Sequence, residues 1–169
     1  DSKMVFITQQ GSDQVSAIDL ATQTVKWTMP VGKLPAGIAM TPDEKYLLVG
    51  IMGSDYVEVI DWRAQKTVKR IKAGAGTHNF RALGDKRHIF VSNRVSNTIN
   101  IIDQNTLENV GTINVPGGPD CMEVTDDGKT MWVWWIDPLT PEPMKFTGPV
   151  TDTSASLSAD TPRGKMTLD

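Results

Sequence analysis

Histidine and cysteine are the residues that the chain has least of, with two histidines and one cysteine among 169 residues. The single Cys121 excludes an internal disulfide. Neither His78 nor His88 belongs to an HxH or HxxxH pair, and the sequence shows no zinc spacing, no Ser-His-Asp order and no nucleotide fingerprint. Because so few acid–base groups are available, the sequence favours a binding protein over an enzyme.

Long apolar runs and helical periodicity are also missing. No run of about 18 apolar residues is present, so the sequence predicts no membrane-spanning helix. The net charge of −3 does not favour a nonspecific nucleic-acid surface. The chain begins at Asp1, as we expect of a mature secreted protein or a trimmed product.

What the chain does have is a repeat of 42 residues. Three sets of identical residues recur at this spacing without a gap, and they are Asp19, Asp61 and Asp103, then Asp43, Asp85 and Asp127, then Val49, Val91 and Val133. A period of this length with four short strands per unit is typical of β-propeller blades. The sequence therefore predicts an all-β fold of repeated four-stranded sheets.

One full period shows how the strands follow one another. Residues 37–40 form the inner strand, 46–51 the second, 56–60 the third and 67–71 the outer strand, with turn-forming residues between them. The segments VSNRVSNTINIID and PAGIAMTPDEKYLLVG resemble the YVTN family of bacterial β-propellers, and the resemblance covers roughly residues 4–135. It implies a propeller fold and a periplasmic or cell-surface location, but no particular function.

The repeat predicts about three blades, in residues 1–135. The first strand, in residues 4–9, matches the second strand of a blade and has no inner strand before it. Residues 136–169 are rich in Pro, Thr and Ser and are interpreted as a tail, or as a discontinuous propeller segment, with short strands only near 145–146 and 165–167.

Closed propellers have about four to eight blades. We therefore expect part of a larger, seven-bladed propeller. Closure by oligomerisation, or completion by another chain, are the alternatives that the sequence leaves open.

The loops at one end of the blades surround the mouth of the central channel, where propellers commonly bind ligands. At equivalent positions there, the three blades carry LPAGIAM, GTHNFRA and GPDCMEV. Polar residues thus replace small ones in two adjacent blades. The predicted ligand-binding residues are His78, Asn79, Arg81, Arg94 and Asp120, and His78 and Asp120 are expected to be neighbours because they are 42 residues apart.

Each of these residues also has an ordinary structural interpretation. His78 is either a metal or haem ligand or a turn residue with one hydrogen bond, and Cys121 is either reactive or a small buried side chain. Asp120 and Glu123 form either a cation site or solvated charge, and Arg81 and Arg94 either an anion site or surface charge. Trp132, Trp134 and Trp135 indicate blade packing with an exposed edge rather than a carbohydrate platform.

Three functions follow in order of preference. The first is a binding module that holds a protein partner or a small ligand at the channel mouth. The second, implied by relatives of the family, is a redox propeller carrying d1-type haem or copper with His78 as ligand. The third is a lactonase-like hydrolase with His78, Arg81 and Glu123 in acid–base and anion-binding roles.

Overall fold

The structure, a computed structural model, describes residues 3–125, 127–135, 144–147, 157–161 and 164–168. The described residues form four antiparallel β-sheets and no helix. The first sheet contains β1 (Met4–Gln9), β2 (Gln14–Asp19) and β3 (Thr24–Pro30). The second contains β4 (Pro35–Met40), β5 (Tyr46–Ile51), β6 (Tyr56–Asp61) and β7 (Lys66–Lys72).

The third sheet repeats the second, with β8 (Thr77–Ala82), β9 (His88–Asn93), β10 (Thr98–Asp103) and β11 (Glu108–Asn114). The fourth contains β12 (Pro119–Val124), β13 (Thr130–Trp135), β14 (Met144–Thr147), β15 (Leu157–Thr161) and β16 (Gly164–Leu168). In every sheet the strands pair in chain order, and the inner strands β4, β8 and β12 lie side by side. This is the arrangement of consecutive propeller blades, as predicted, and the first blade begins with its second strand.

The repeated aspartates lie in equivalent places. Asp19, Asp61 and Asp103 each end the third strand of a blade, and each carboxylate accepts backbone N–H groups of the following turn at 2.7–3.1 Å. Asp43, Asp85 and Asp127 do the same in the turn between the inner and the second strand, at the opposite end of the blade from His78. Both sets confirm the prediction from the 42-residue spacing.

Backbone conformation repeats with the same period. Residues with positive φ recur at three equivalent positions, which are Gln23, Gln65 and Leu107, then Leu34, Gly76 and Gly118, then Glu44, Lys86 and Gly128. Non-glycine residues rarely adopt this conformation, so its recurrence at side chains as different as Leu, Gln and Lys reflects the turn geometry. The repeat is therefore a repeat of backbone shape as well as of sequence.

Apolar side chains fill the spaces between blades. Val49, Val91 and Val133 are fully buried, each in a different one of the three inter-blade clusters. The cluster between the first two sheets packs Phe6 and Trp27 against residues of β5. Burying one such valine contributes about 1.5–3 kcal/mol. Each blade therefore depends on its neighbours for stability, as expected for a repeat protein.

The C-terminal part of the chain contains more strand than the sequence predicted. The short strands expected near 145–146 and 165–167 are β14 and β16, whereas β15 was not predicted, because LSADT lacks an apolar alternation. All three extend the sheet of β12 and β13. The division of the chain at residue 135 stays a prediction. Within the described residues there is no helix with the length and apolarity that a membrane span requires.

Candidate functional site

His78, Arg94 and Asp120 meet at one end of the inner strands. His78 is the second residue of β8, Asp120 is the second residue of β12, and Arg94 follows β9 directly. Arg94 reaches across to the next blade, and its Nε donates to Asp120 Oδ1 at 2.9 Å, while Nη2 lies 2.7 Å from the same oxygen. The structure therefore brings together three of the five predicted ligand-binding residues, as the repeat spacing predicted for His78 and Asp120.

The pair of Arg94 and Asp120 is partly buried, since the two side chains are 27% and 22% exposed. Arg94 Nη1 also lies 3.6 Å from the sulfur of Met52, which stands 42 residues earlier in the preceding blade. Partial burial strengthens a charge-assisted pair of this kind. Because the two charges cancel, the cluster is close to neutral when His78 is neutral.

Burial favours the neutral form of His78. Burial lowers the pKa of His78 below its ordinary value of 6.5, and although the Asp120 carboxylate opposes this shift, the Arg94 guanidinium adds to it. Nδ1 of His78 lies 2.8 Å from Asp120 Oδ1, but the two are not aligned as a hydrogen bond, and this buried nitrogen has no such partner among the described residues. The His78 side chain is 19% exposed.

Two further contacts join the same inner strands below this cluster. Asn79 Nδ2 lies 3.5 Å from the sulfur of Cys121, and Arg81 Nε donates to Glu123 Oε2 at 2.9 Å. Each pair is again separated by 42 residues and joins neighbouring blades. Cys121 is exposed, so its interpretation as a small buried residue is wrong. Arg81 and Glu123 are about half-exposed and neutralise each other.

The other candidate residues lie outside this site. His88 lies at the opposite end of its strand, as predicted, where its Nδ1 contacts Asp85. Trp132 is half-buried and Trp134 is 38% exposed, which agrees with packing plus an exposed edge. Among the described residues no group of three or more His, Cys, Asp or Glu side chains has the arrangement of a metal site. The assignment of His78 as a metal ligand stays a prediction.

The sequence did not lead us to Ser92, whose side chain hydrogen-bonds to the backbone of both inner strands of the site. Its side chain is buried, and its hydroxyl donates to the carbonyl of Asp120 at 2.6 Å and accepts the N–H of Asn79 at 3.1 Å. It therefore links the two inner strands that carry the site. The signal was present in the sequence, because Thr8 stands at the equivalent position of the first blade and makes the same contact to Ala36.

Comparisons with known proteins agree with this fold. A family model described as YNCE-like beta-propeller matches residues 1–141. Among solved structures, the chain is similar to Kuenenia stuttgartiensis hydrazine synthase, with 28% identity and a TM-score of 0.74 over 95% of this chain and 42% of that one. It is also similar in fold to the dihydro-heme d1 dehydrogenase NirN in complex with DHE, with 15% identity and a TM-score of 0.71 over 100% of this chain and 36% of that one.

The chain thus spans less than half the length of either solved structure. No curated protein matches it. The resemblance to YVTN-type propellers, first seen in the hairpin and turn segments, is confirmed by the match over residues 1–141 and by the two propeller structures. The chain belongs to the YNCE-like β-propeller family.

Proposed function

We propose that this part of the propeller is a binding module that holds a small ligand or a protein partner at the channel-mouth face. The observation that supports this proposal is the cluster of His78, Arg94 and Asp120. His78 and Arg94, which belong to one blade, both approach a single oxygen atom of the next blade, Asp120 Oδ1. Polar residues placed at loop ends on a rigid sheet scaffold are a common form of ligand site.

The cluster offers both donors and acceptors to a ligand. Arg94 has five N–H groups, and within the described part of the chain its guanidinium contacts Asp120 through Nε and Nη2 and Met52 through Nη1. The His78 side chain, which is 19% exposed, adds a further polar group, and Asn79 and Arg81 lie on the same strand, β8. The site therefore suits a small polar ligand, or a polar side chain of a partner, rather than an apolar one.

A thermal-shift screen tests this proposal. The parent chain is screened against small carboxylates, phosphates and tetrapyrroles, and each ligand that raises Tm is tested again on a variant in which His78, Arg81, Arg94 and Asp120 are all alanine. The matched control replaces four exposed residues at the opposite end of the blades, namely Glu44, Lys45, Arg63 and Lys86. We expect the shift to disappear in the first variant only. A shift retained in the first variant would place binding on another face.

A redox propeller is the second candidate, with d1-type haem or copper bound by His78. The supporting observation is that His78 Nδ1 lies 2.8 Å from the carboxylate oxygen Asp120 Oδ1, since metal-binding histidines commonly have a carboxylate beside the ring nitrogen that does not bind the metal. A bound haem or copper would supply electron-transfer chemistry, and Asp120 would orient the imidazole.

Absorption spectra and metal analysis after incubation with haem or with Cu²⁺ test this candidate. His78→Ala should abolish uptake, and Asp120→Asn should weaken it. A parent chain that takes up neither cofactor would remove the candidate. The lactonase alternative stays a prediction, and Arg81 and Glu123 would first have to separate from each other to act in it.

We also propose a periplasmic or cell-surface location, which rests on the family resemblance alone. Fractionation of cells that produce the protein tests it. Recovery of the protein in the cytoplasmic fraction, together with a cytoplasmic marker enzyme, would contradict this location.

A further inference from the structure

Each junction between blades brings the fifth residue of a second strand close to the second residue of the next inner strand. At the first junction Thr8 Oγ1 donates to the carbonyl of Ala36, and at the third junction Ser92 Oγ donates to the carbonyl of Asp120, both at 2.6 Å. At the middle junction the equivalent residue is Gly50, which has no side chain to offer to the carbonyl of His78. The middle junction is therefore built differently from the other two.

Two glycines make room for the backbone of His78 at that junction. A Cβ atom on Gly37 would lie 2.0 Å from the carbonyl oxygen of His78, and a Cβ on Gly50 would lie 3.1 Å from the carbonyl oxygen of Thr77. Neither glycine has a positive φ, so the requirement is for space rather than for an unusual backbone conformation. Gly37 and Gly50 together form a slot that receives the start of β8.

We propose that Gly37 and Gly50 are positioning residues for His78, because the slot that they form fixes the backbone from which the ring reaches Asp120. The proposal rests on the proposed function only in that His78 belongs to the site. Asp120 is fixed from the other side, where Ser92 holds its carbonyl. The contact of 2.8 Å between the His78 ring and the Asp120 carboxylate therefore depends on the glycine slot at the middle junction and on the Ser92 hydrogen bond at the third junction.

An added methyl group at Gly37 has to displace the His78 carbonyl. Because Cβ atoms do not approach other atoms within 3.0 Å, the start of β8 has to move by about 1 Å in a close-packed region. A methyl group at Gly50 is a milder change, since its nearest contact at 3.1 Å is tight but short of a clash. The two substitutions should therefore disturb His78 to different degrees.

The experiment measures the ring ¹⁵N chemical shifts of His78 by NMR, with His88 as an internal reference, since the chain has only these two histidines. In the parent chain, Asp120→Asn should change the His78 shifts and leave the His88 shifts unchanged. The same substitution is then introduced into Gly37→Ala, Gly50→Ala and two control backgrounds. Gly11→Ala is a control in open space, and Gly32→Ala is a packing control whose Cβ would lie 2.3 Å from the Tyr56 hydroxyl.

We expect the response of His78 to Asp120→Asn to be lost in Gly37→Ala, reduced in Gly50→Ala and retained in both controls. A full response in Gly37→Ala and Gly50→Ala would overturn the proposal, as would an equal loss in Gly32→Ala, which would show general destabilisation. If Gly37→Ala does not fold, Gly50→Ala decides alone. No ligand is needed, so a failure of the proposed binding function would not change this result.

Discussion

Glu58 is a buried carboxylate in β6 that holds a loop at the channel-mouth end. Its side chain is 2% exposed. Glu58 Oε2 accepts the N–H of Gly32 at 2.9 Å, and Oε1 accepts the hydroxyl of Thr67 at 2.7 Å. The Arg70 guanidinium, 3.6 Å away, is itself 60% exposed and so contributes little charge compensation. The carboxylate is therefore retained mainly by its two hydrogen bonds.

Glu58→Ala should destabilise the chain by about 1–3 kcal/mol. The partly buried N–H of Gly32 loses its partner, at a cost of about 1–3 kcal/mol, whereas Thr67 is exposed and its hydroxyl can bond to water instead. For a chain of this size about 1 kcal/mol corresponds to about 2–4 °C, so Tm should fall by about 2–12 °C. Glu58→Gln keeps one acceptor and should cost less, since Asn100 performs the equivalent role with an amide by accepting the N–H of Gly74 at 2.9 Å.

Urea unfolding followed by tryptophan fluorescence measures both losses. Glu108→Ala is the matched control, because Glu108 is 61% exposed and pairs with Lys69 on the neighbouring outer strand. An exposed pair contributes about 0–1 kcal/mol. The reasoning is refuted if Glu58→Ala shifts the urea midpoint no more than Glu108→Ala does, because the two hydrogen bonds of the buried carboxylate would then contribute nothing measurable.

Three further predictions follow from the structure. Phe90→Ala removes a fully buried ring between the third and fourth blades and should lower the free energy of unfolding by about 3–5 kcal/mol in urea titrations. Burial raises the pKa of Asp85, but hydrogen bonds from His88 and Arg87 outweigh it and hold this pKa below 3.8. Its stabilisation should therefore be complete above about pH 4 and be lost as the pH falls through the lower folded pKa, so urea midpoints should decline less steeply below pH 4 in Asp85→Asn. The pKa of His78 should fall further in Asp120→Asn, because Asp120 raises it, and an NMR titration that shows a rise would contradict the assigned contact.

The fold was predictable because it is encoded several times in one chain. A single turn such as Thr41–Asp43 indicates little by itself, but the same turn at Thr125–Asp127, with the same contact of 2.7 Å, shows that the pattern is structural. Periodicity also predicted that His78 and Asp120 would be neighbours. It carried no information about β15, whose residues have no equivalent in the preceding blades.

The details of the site were not predictable, because they depend on contacts across a junction. The pairing of Arg94 with Asp120 joins positions 26 residues apart, which no repeat column relates. The role of Ser92 was marked only by the hydroxyl residue Thr8 at the equivalent position of the first blade, because its partner is a main-chain carbonyl, which every residue carries. The exposure of Cys121 follows from the direction of one side chain on β12, which the sequence does not specify.

The positive-φ positions show which residue types each repeated turn accepts. At one backbone position it has used Leu34, Gly76 and Gly118, and at another Glu44, Lys86 and Gly128. The repeats of this chain thus show which turns accept a side chain at positive φ and at which positions glycine can replace that residue. Glycine occupies the positions equivalent to Leu34 and Glu44 in later blades, so Leu34→Gly and Glu44→Gly are candidate stabilising substitutions. Turn residues of one blade can be transferred to the equivalent turn of another in the same way.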